Sequence, residues 1–531
     1  MIFGKKWDLI KKILILLILC CIVVCILNYS YLNFTGFARY CNSDVYADSL
    51  VAMMMWDQKT LFPDGWMFSN QFYVAATPNL AALFYGLTGS INLGMVLATE
   101  LMTVLVFLSF LWLLRALTKD LLLQLTACLT LLAANVAPYG PYSVNSMLFF
   151  TQASFYACYL ITMFVVFGDY LRAYVSEETR PAAWTLSLVL SFAMGMQSLR
   201  QTVVMVLPIL ACEAFVTLRR ALLRRKIWNR NTLYRGISYA VANMMGVAVI
   251  EWLDPPKNPL FGQVELAGLE SLAQRLQPLG TALLEITSLD YVRNGDCSKL
   301  MACIILGMVL LVAIGAVLYL SRIHKEETPL ELCWLLLAVG MIGVLLSTVV
   351  LTITIRGIYL FMWFPLAACS VLLMMKKLPK LLQLCLVLIL CGSTLVGMRD
   401  GYGVYMQMLR AEKPTEAEQI CQWAMEEGYR YVYGDYWGMA TEIAVHSDGE
   451  LKAGCWHTPE SVFYVEMANN SQNIYTEAEN ARAIYVFTSE DEASGLASAA
   501  ERGVSMEKAA EFGDCYVYTS PVPLMRKWGE S

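Results

Sequence analysis

From Ile13 to Leu32 the chain reads ILILLILCCIVVCILNYSYL without one charged residue, and runs of this kind recur through the first 400 positions. A bilayer core about 30 Å thick needs roughly 20 apolar residues per helix. A helix can cross because it satisfies every backbone N–H and C=O within its own segment. Closed β-barrels read differently, as strands of about ten residues with alternating polarity. Hydrophobic residues make up 58% of the 531 and charged residues 15%, gathered in short islands between the apolar runs, which places the chain among polytopic membrane proteins. The N-terminal MIFGKKWDLIKK has the charge pattern of a signal peptide. The apolar run behind it is too long and lacks a small-residue cleavage site, so a retained first span is expected.

The pattern predicts eleven spans, near 13–32, 93–117, 120–137, 148–171, 182–198, 203–218, 236–253, 300–320, 330–352, 357–375 and 381–398. With a cytoplasmic N-terminus, the inner loops hold twenty basic residues, among them RRALLRRKIWNRNTLYR, Arg115, Lys119, Arg172, Arg180, Arg322, Lys325 and KKLPK. The longer outer loops hold only eight: Arg39, Lys59, Arg200, Lys257, Arg275, Arg293, Lys299 and Arg356. The positive-inside rule selects this orientation. A multi-pass plasma-membrane protein is expected, with two large external loops, 33–92 and 254–299, and an external tail. The expected domains are a transmembrane one over 1–400 and a soluble one over 401–531.

The tail carries nine basic and twenty-one acidic residues, against a net charge of −5 for the whole chain, so the membrane part is net positive. It reads as α/β: EAEQICQWAMEEG has a helical pattern, and YRYVYGD, ARAIYVFTS and DCYVYTS read as strands. The expected fold is therefore an all-α polytopic bundle with amphipathic external-loop helices and a small C-terminal extracytoplasmic α/β domain. No internal repeat or low-complexity segment is visible. Of the sixteen cysteines, Cys20, Cys21, Cys25, Cys303 and Cys385 lie in apolar runs as small hydrophobes. Outside the runs, Cys41, Cys297, Cys421, Cys455 and Cys515 allow disulfides without specifying a pairing. No CxxC or Cys/His metal spacing occurs. His324, His446 and His457 are all placed away from the membrane, so chemistry there falls to carboxylates and arginines.

The first external loop contains NSDVYADSLVAMMMWDQKTLFPDGW, with Asp44 and Asp48 four residues apart and hence on one helix face. Tyr46, Leu50, Met53 and Met54 make an apolar stripe, as in a helix lying along a membrane surface. Asp44 reads equally as a helix cap beside Asn42 and Ser43. Asp57 and Asp64 read as helix-end and turn residues. Arg200 and Arg356 stand at external boundaries, where an arginine snorkels to headgroups or grips a lipid phosphate through its planar fork. Glu100 lies inside a span, a second candidate because an ionisable group there is costly.

The segment SDVYADSLVAMMMWDQKTLFPDGWMFSNQFYVAATPNLAALFYGLTG resembles the first external loop of superfamily C glycosyltransferases. It is most similar to the branch of protein mannosyltransferases and bacterial aminoarabinose transferases, where an Asp opens an amphipathic helix, a "gdw..p" phrase follows, and a proline segment precedes the next helices. GMQSLRQTVVMVLPIL and TIRGIYLFMWFPLAA resemble the later basic elements, and YGDYWGMATEIAVHSDGE an Asp-Tyr-Trp phrase in the soluble domains of some bacterial members. The resemblance implies transfer of a sugar from a polyprenyl-phosphate donor to a glycan, lipid or protein acceptor of the cell envelope, with inversion. It assigns Asp44 as the catalytic carboxylate and Arg200 as the basic residue at the lipid phosphate, with Arg356 a softer match. Asp48 and Tyr46 are expected to contact substrate. Val45 stands where the family often has Glu, and ATPNL lacks the His or Lys that commonly precedes the proline, which removes an expected phosphate contact.

No cofactor beyond the lipid-linked donor is called for, a divalent metal is not required by the sequence, and nucleic acid is not an expected partner. The competing readings are a transporter or flippase of lipid-linked glycans, a non-catalytic envelope scaffold, and a membrane-embedded polymer ligase or polymerase. The topology predicts that cysteines engineered into 42–66 and the tail label in intact cells with an impermeant maleimide, while those in RRALLRRK do not. The reverse pattern would overturn the orientation.

Overall fold

The structure, a computed structural model, describes residues 2–39, 41–69, 71–135, 150, 156–175, 181–223, 230–256, 266–322, 325, 327–351, 356–409, 414–436, 439–456, 461–463 and 482–526. Arg180, Lys257, His324 and His457 lie outside the described residues. The chain divides into two compact units. A helical unit comprises Met1–Tyr31, Met102–Trp252 and Val264–Met406, and a mixed unit comprises Leu32–Leu101, Leu253–Gln263 and Gln407–Ser531.

The helices begin with α1 (Ile2–Gly36), α2 (Ser43–Gln58), α3 (Thr77–Thr88), α4 (Ile91–Leu117) and α5 (Leu121–Asn135). Further apolar helices follow at Ala157–Val175, Pro181–Gln197, Leu207–Leu222, Arg230–Leu253, Lys299–Leu320, Pro329–Val350, Trp363–Met375 and Lys380–Leu409. Each of the eleven expected spans falls on one of these. Among the described residues, nine helices are long and apolar enough to cross a membrane. The other two, α5 with 15 residues and Pro181–Gln197 with 17, fall short of a full crossing at 1.5 Å per residue. The protein is a multi-pass membrane protein.

Within the helical unit, two glycines let the helices Pro181–Gln197 and Arg230–Leu253 touch backbone to backbone. A Cβ at Gly195 would lie 2.0 Å from the Asn243 carbonyl oxygen, and one at Gly246 would lie 2.1 Å from that of Phe192. Lipid offers no hydrophobic drive for helix pairing, so close approach of small residues and buried hydrogen bonds carry it. Asn243 supplies such bonds: its Nδ2 donates to the Ser191 carbonyl at 3.0 Å, and its Oδ1 accepts from the Thr202 hydroxyl at 2.6 Å. Thr202 opens a π turn over Thr202–Val206, in which the Leu207 N–H bonds the Thr202 carbonyl five residues back. Pro208 explains the widening, since its ring crowds the preceding turn and it has no N–H to give.

In the mixed unit a five-stranded sheet runs in the order β2-β1-β3-β5-β4. Its strands are β1 (Tyr431–Asp435), β2 (Lys452–Trp456), β3 (Ala483–Thr488), β4 (Glu507–Phe512) and β5 (Cys515–Thr519). β1 lies parallel to β2 and β3, and β5 antiparallel to β3 and β4. Helices Glu416–Glu426, Ala440–His446 and Glu492–Glu501 complete the α/β arrangement. Its core gathers Tyr433, Trp456, Phe463, Tyr485 and Phe487, with the Trp456 indole N–H donating to Asp491 at 3.1 Å. All sixteen cysteines are free thiols. The helix Leu269–Thr287, in the helical unit, buries Ala282 and Ile286 and exposes Leu276, as an amphipathic helix does. On α2 pack α3 and Ala440–His446, and Asp48 is buried together with Tyr46, Leu50 and Met53 of the apolar stripe, while Met54 is half-buried.

A methyl group forced between two touching backbones costs about 1–3 kcal/mol. Gly195→Ala should therefore lower the thermal midpoint of the detergent-solubilised protein by several degrees. Gly307→Ala, where a Cβ meets nothing within 4 Å, should leave it in place.

Candidate functional site

The start of α2 is fixed by Asn42, not by Asp44. The Asn42 side chain accepts from the Val45 N–H at 3.1 Å and its backbone is extended, with φ −109° and ψ 174°. Asp44 sits within the first turn, where the helix dipole favours a negative charge. Its Oδ1 accepts from the Tyr436 hydroxyl at 3.1 Å, and the side chain remains half-buried. Asn42 thus takes the capping role that the sequence left open, and Asp44 is free for other work.

One turn on, Asp48 is 3% exposed and its Oδ1 accepts from the Tyr73 hydroxyl at 2.5 Å. Burial pushes the Asp48 carboxyl up to about 8; the Tyr73 hydrogen bond pulls it down, and the neighbouring Asp44 charge raises it. Burial, followed by the Asp44 charge, likewise holds the Tyr436 phenol well above its ordinary range, so it stays a donor. Two carboxylates on one helix face therefore occupy unlike surroundings. Asp44 is the accessible one, and Asp48 is a buried acid held near neutrality.

The rest of the first loop supports this cluster. Tyr46 is buried and its hydroxyl donates to the Ala38 carbonyl at 2.7 Å, bracing the chain ahead of α2. Asn79 holds the start of α3, accepting from the Ala76 N–H and donating to the Tyr73 carbonyl, both at 2.9 Å, so it also fixes the backbone of the residue that binds Asp48. Asp57 is exposed at the end of α2, and Asp64 lies in a turn whose Gly65 has φ +78°, with Gln58 bonding its N–H and carbonyl. Glu100 accepts from the Asn33 amide at 2.8 Å. Among the described residues no three His, Cys, Asp or Glu side chains gather as metal ligands.

In the helical unit, Arg200 lies between the helix Pro181–Gln197 and the π turn. Its Nη1 donates to the Tyr156 hydroxyl at 2.9 Å, and its guanidinium stands 4.7 Å from the Tyr359 ring centre, 5.2 Å from Tyr156 and 5.7 Å from Tyr159. No carboxylate pairs with Arg200 among the described residues. A guanidinium faced by aromatic rings and one phenol keeps fork donors for an incoming anion. Arg356 is exposed at the start of a 3-10 turn, Gly357–Leu360, whose Gly357 N–H donates to Glu285 at 2.9 Å. The charges of Arg200 and Arg356 both bear on the Tyr156 hydroxyl, so this unit brings the two expected arginines into one neighbourhood.

The tyrosines are what sequence reasoning missed. Tyr436 stands in the Asp-Tyr-Trp phrase and Tyr73 just ahead of the proline segment. Neither phrase says which hydroxyl meets which carboxylate.

No protein-family model matches the chain, and no curated protein does. Among solved structures it is similar over nearly its whole length to ArnT from Cupriavidus metallidurans. The form bound to undecaprenyl phosphate aligns with TM-score 0.56 at 14% identity, over 97% of this chain and 99% of that one. The apo form aligns with TM-score 0.56 at 13% identity, over 98% and 99%. At that identity the likeness is one of fold alone.

A carboxyl raised on folding favours the folded state below its unfolded value, near 3.9, and loses that contribution as pH climbs toward its folded value. The window for Asp48 thus runs from about pH 4 to about 8. Asp48→Asn cannot ionise, so its thermal midpoint should decline less than that of the wild type across this window. Parallel curves for the two proteins would show that Asp48 is not held as a neutral acid.

Proposed function

We propose that the chain is an integral-membrane glycosyltransferase that moves a sugar from a polyprenyl-phosphate donor to an acceptor of the cell envelope on the extracytoplasmic side. The observation that carries this reading is the whole-length fold shared with ArnT, solved with undecaprenyl phosphate bound. A prenyl chain dissolves among apolar helices while its sugar phosphate reaches the polar boundary. There Asp44 takes the proton from an acceptor hydroxyl, and the freed oxygen attacks the anomeric carbon from the face opposite the phosphate. The bond from anomeric carbon to phosphate oxygen breaks, its electron pair leaves with the lipid phosphate, and the sugar is inverted.

Arg200 and Arg356 are the groups we assign to the leaving phosphate, whose charge grows as that bond breaks. This assignment is supported by the absence of a carboxylate on Arg200 among the described residues and by the lack of a basic residue ahead of Pro78. Asp48 and Tyr46 act behind Asp44, the first as a buried acid that adds little competing charge, the second as a brace. The transmembrane part, 1–400, takes the donor, and 401–531 forms the extracytoplasmic domain.

The test is turnover by the purified protein against a panel of undecaprenyl-phosphate hexoses and pentoses with envelope glycolipid extract as acceptor, read as undecaprenyl phosphate released. Asp44→Asn should lower turnover by about 100-fold or more while undecaprenyl phosphate still binds. Arg200→Ala removes a charge-assisted contact of about 1.5–3 kcal/mol and should weaken undecaprenyl phosphate binding at least about tenfold. Near-normal turnover by folded Asp44→Asn would refute the mechanism, and unchanged lipid affinity in both Arg200→Ala and Arg356→Ala would refute the phosphate assignment.

A further inference from the structure

We propose that Tyr436, supplied by the C-terminal domain, is a positioning residue for Asp44: its hydroxyl fixes one carboxylate oxygen so that the other faces the acceptor. The inference rests on the reading of Asp44 as the base. Tyr436 follows β1 directly, its N–H donates to the Trp456 carbonyl at 2.8 Å, and its side chain is buried. The phenol is thus carried by the sheet, while the carboxylate it meets at 3.1 Å is carried by α2 in the first loop, 392 positions earlier in sequence.

The two carriers are held to each other at further points within the same unit. The helix Ala440–His446 packs on α2. Gly449, at φ +87°, lies so close to Met53 that a Cβ there would stand 2.3 Å from the Met53 sulfur. Asp448 accepts from the Ile91 N–H at 2.7 Å and the Asn92 N–H at 3.1 Å, securing the start of α4. Arg39, ahead of α2, pairs with Glu418 at 2.8 Å. A rotating carboxylate presents either oxygen, whereas one pinned by a phenol on a rigid sheet presents one. Pinning of this kind keeps a base within the narrow geometry that proton transfer needs.

Three titratable groups bear on Asp44: Tyr436, Asp48 and Tyr73. Of the elements packed against α2, Ala440–His446 brings Glu442 and His446, whose side chains approach to 3.6 Å, and α3 brings Tyr85, which faces Asp57 and Asp448. Tyr436 is the group that donates a hydrogen bond to Asp44, so removing its hydroxyl has a signature of its own. Orientation of a base acts on the chemical step, so loss of the phenol lowers kcat and leaves KM in place.

The experiment measures kcat and KM for the full-length protein, using whichever undecaprenyl-phosphate sugar of the panel the wild type consumes. Tyr436→Phe should lower kcat about tenfold and leave KM within about twofold. Tyr518→Phe removes a phenol that donates to Glu492 at 2.7 Å elsewhere in the same domain, and should match the wild type. Should Tyr436→Phe not fold, 4-aminophenylalanine at position 436 keeps the shape with a weaker donor, and should lower kcat with KM in place. A folded variant whose kcat stays within about twofold of the wild type, or whose loss lies in KM, overturns the inference. If Asp44→Asn is inactive while Tyr436→Phe keeps the wild-type kcat, only the positioning role falls. If Asp44→Asn is active, or the wild type consumes no member of the panel, the functional reading falls and the inference with it.

Discussion

Hydrocarbon does not hydrogen-bond, and that constraint governs this protein. Every backbone group inside the bilayer must find its partner within the chain, so apolar segments become helices before any tertiary contact forms. Polar side chains that remain among them must be paired in turn. Asn243 bonds both the Ser191 carbonyl and the Thr202 hydroxyl. Asp169 is met by Arg235 and by the Tyr239 hydroxyl. Breaking such a pair would strand a buried polar group at the cost of its full desolvation. The Gly195 and Gly246 contacts serve the same end, bringing two backbones close enough for Asn243 to reach across.

The π turn that follows has a mechanical reading. Asn243 ties down Thr202, Pro208 prevents the helix from continuing regularly, and the turn between them takes up the mismatch. Arg200 lies immediately ahead of this fixed point, so its guanidinium is presented from an anchored segment. Aromatic rings around it exclude competing carboxylates without quenching its charge.

The paired carboxylates of α2 show how environment separates identical side chains. Asn42 relieves Asp44 of capping, and Tyr436 gives it a defined partner. Burial keeps Asp48 close to neutral, which spares Asp44 a second full negative charge one turn away. Val45 is itself fully buried, and its N–H serves the Asn42 cap. Ahead of α3, Asn79 occupies the chain turn with hydrogen bonds to Ala76 and Tyr73, so the segment without a basic residue is locally well held.

Periodicity and length in the sequence determined the helices, because apolar run length is a one-dimensional property that a bilayer reads directly. The eleven expected runs coincide with helices over their described residues, Pro181–Gln197 at the same 17 residues as its run. In the tail, β1, β3 and β5 were legible as aromatic, β-branched runs. β2 and β4 were not: KAGCW is rich in small residues, and EKAAEF is a largely exposed edge strand whose charges hide its pairing. Asp44, Asp48, Arg200 and Arg356 were legible as rare charges at chosen places. Which of Asn42 and Asp44 caps, which carboxylate is buried, and which tyrosine meets which carboxylate were decided only by tertiary structure. Those outcomes depend on residues far apart in sequence, such as Tyr436 and Asp44, and on burial, which no single segment contains.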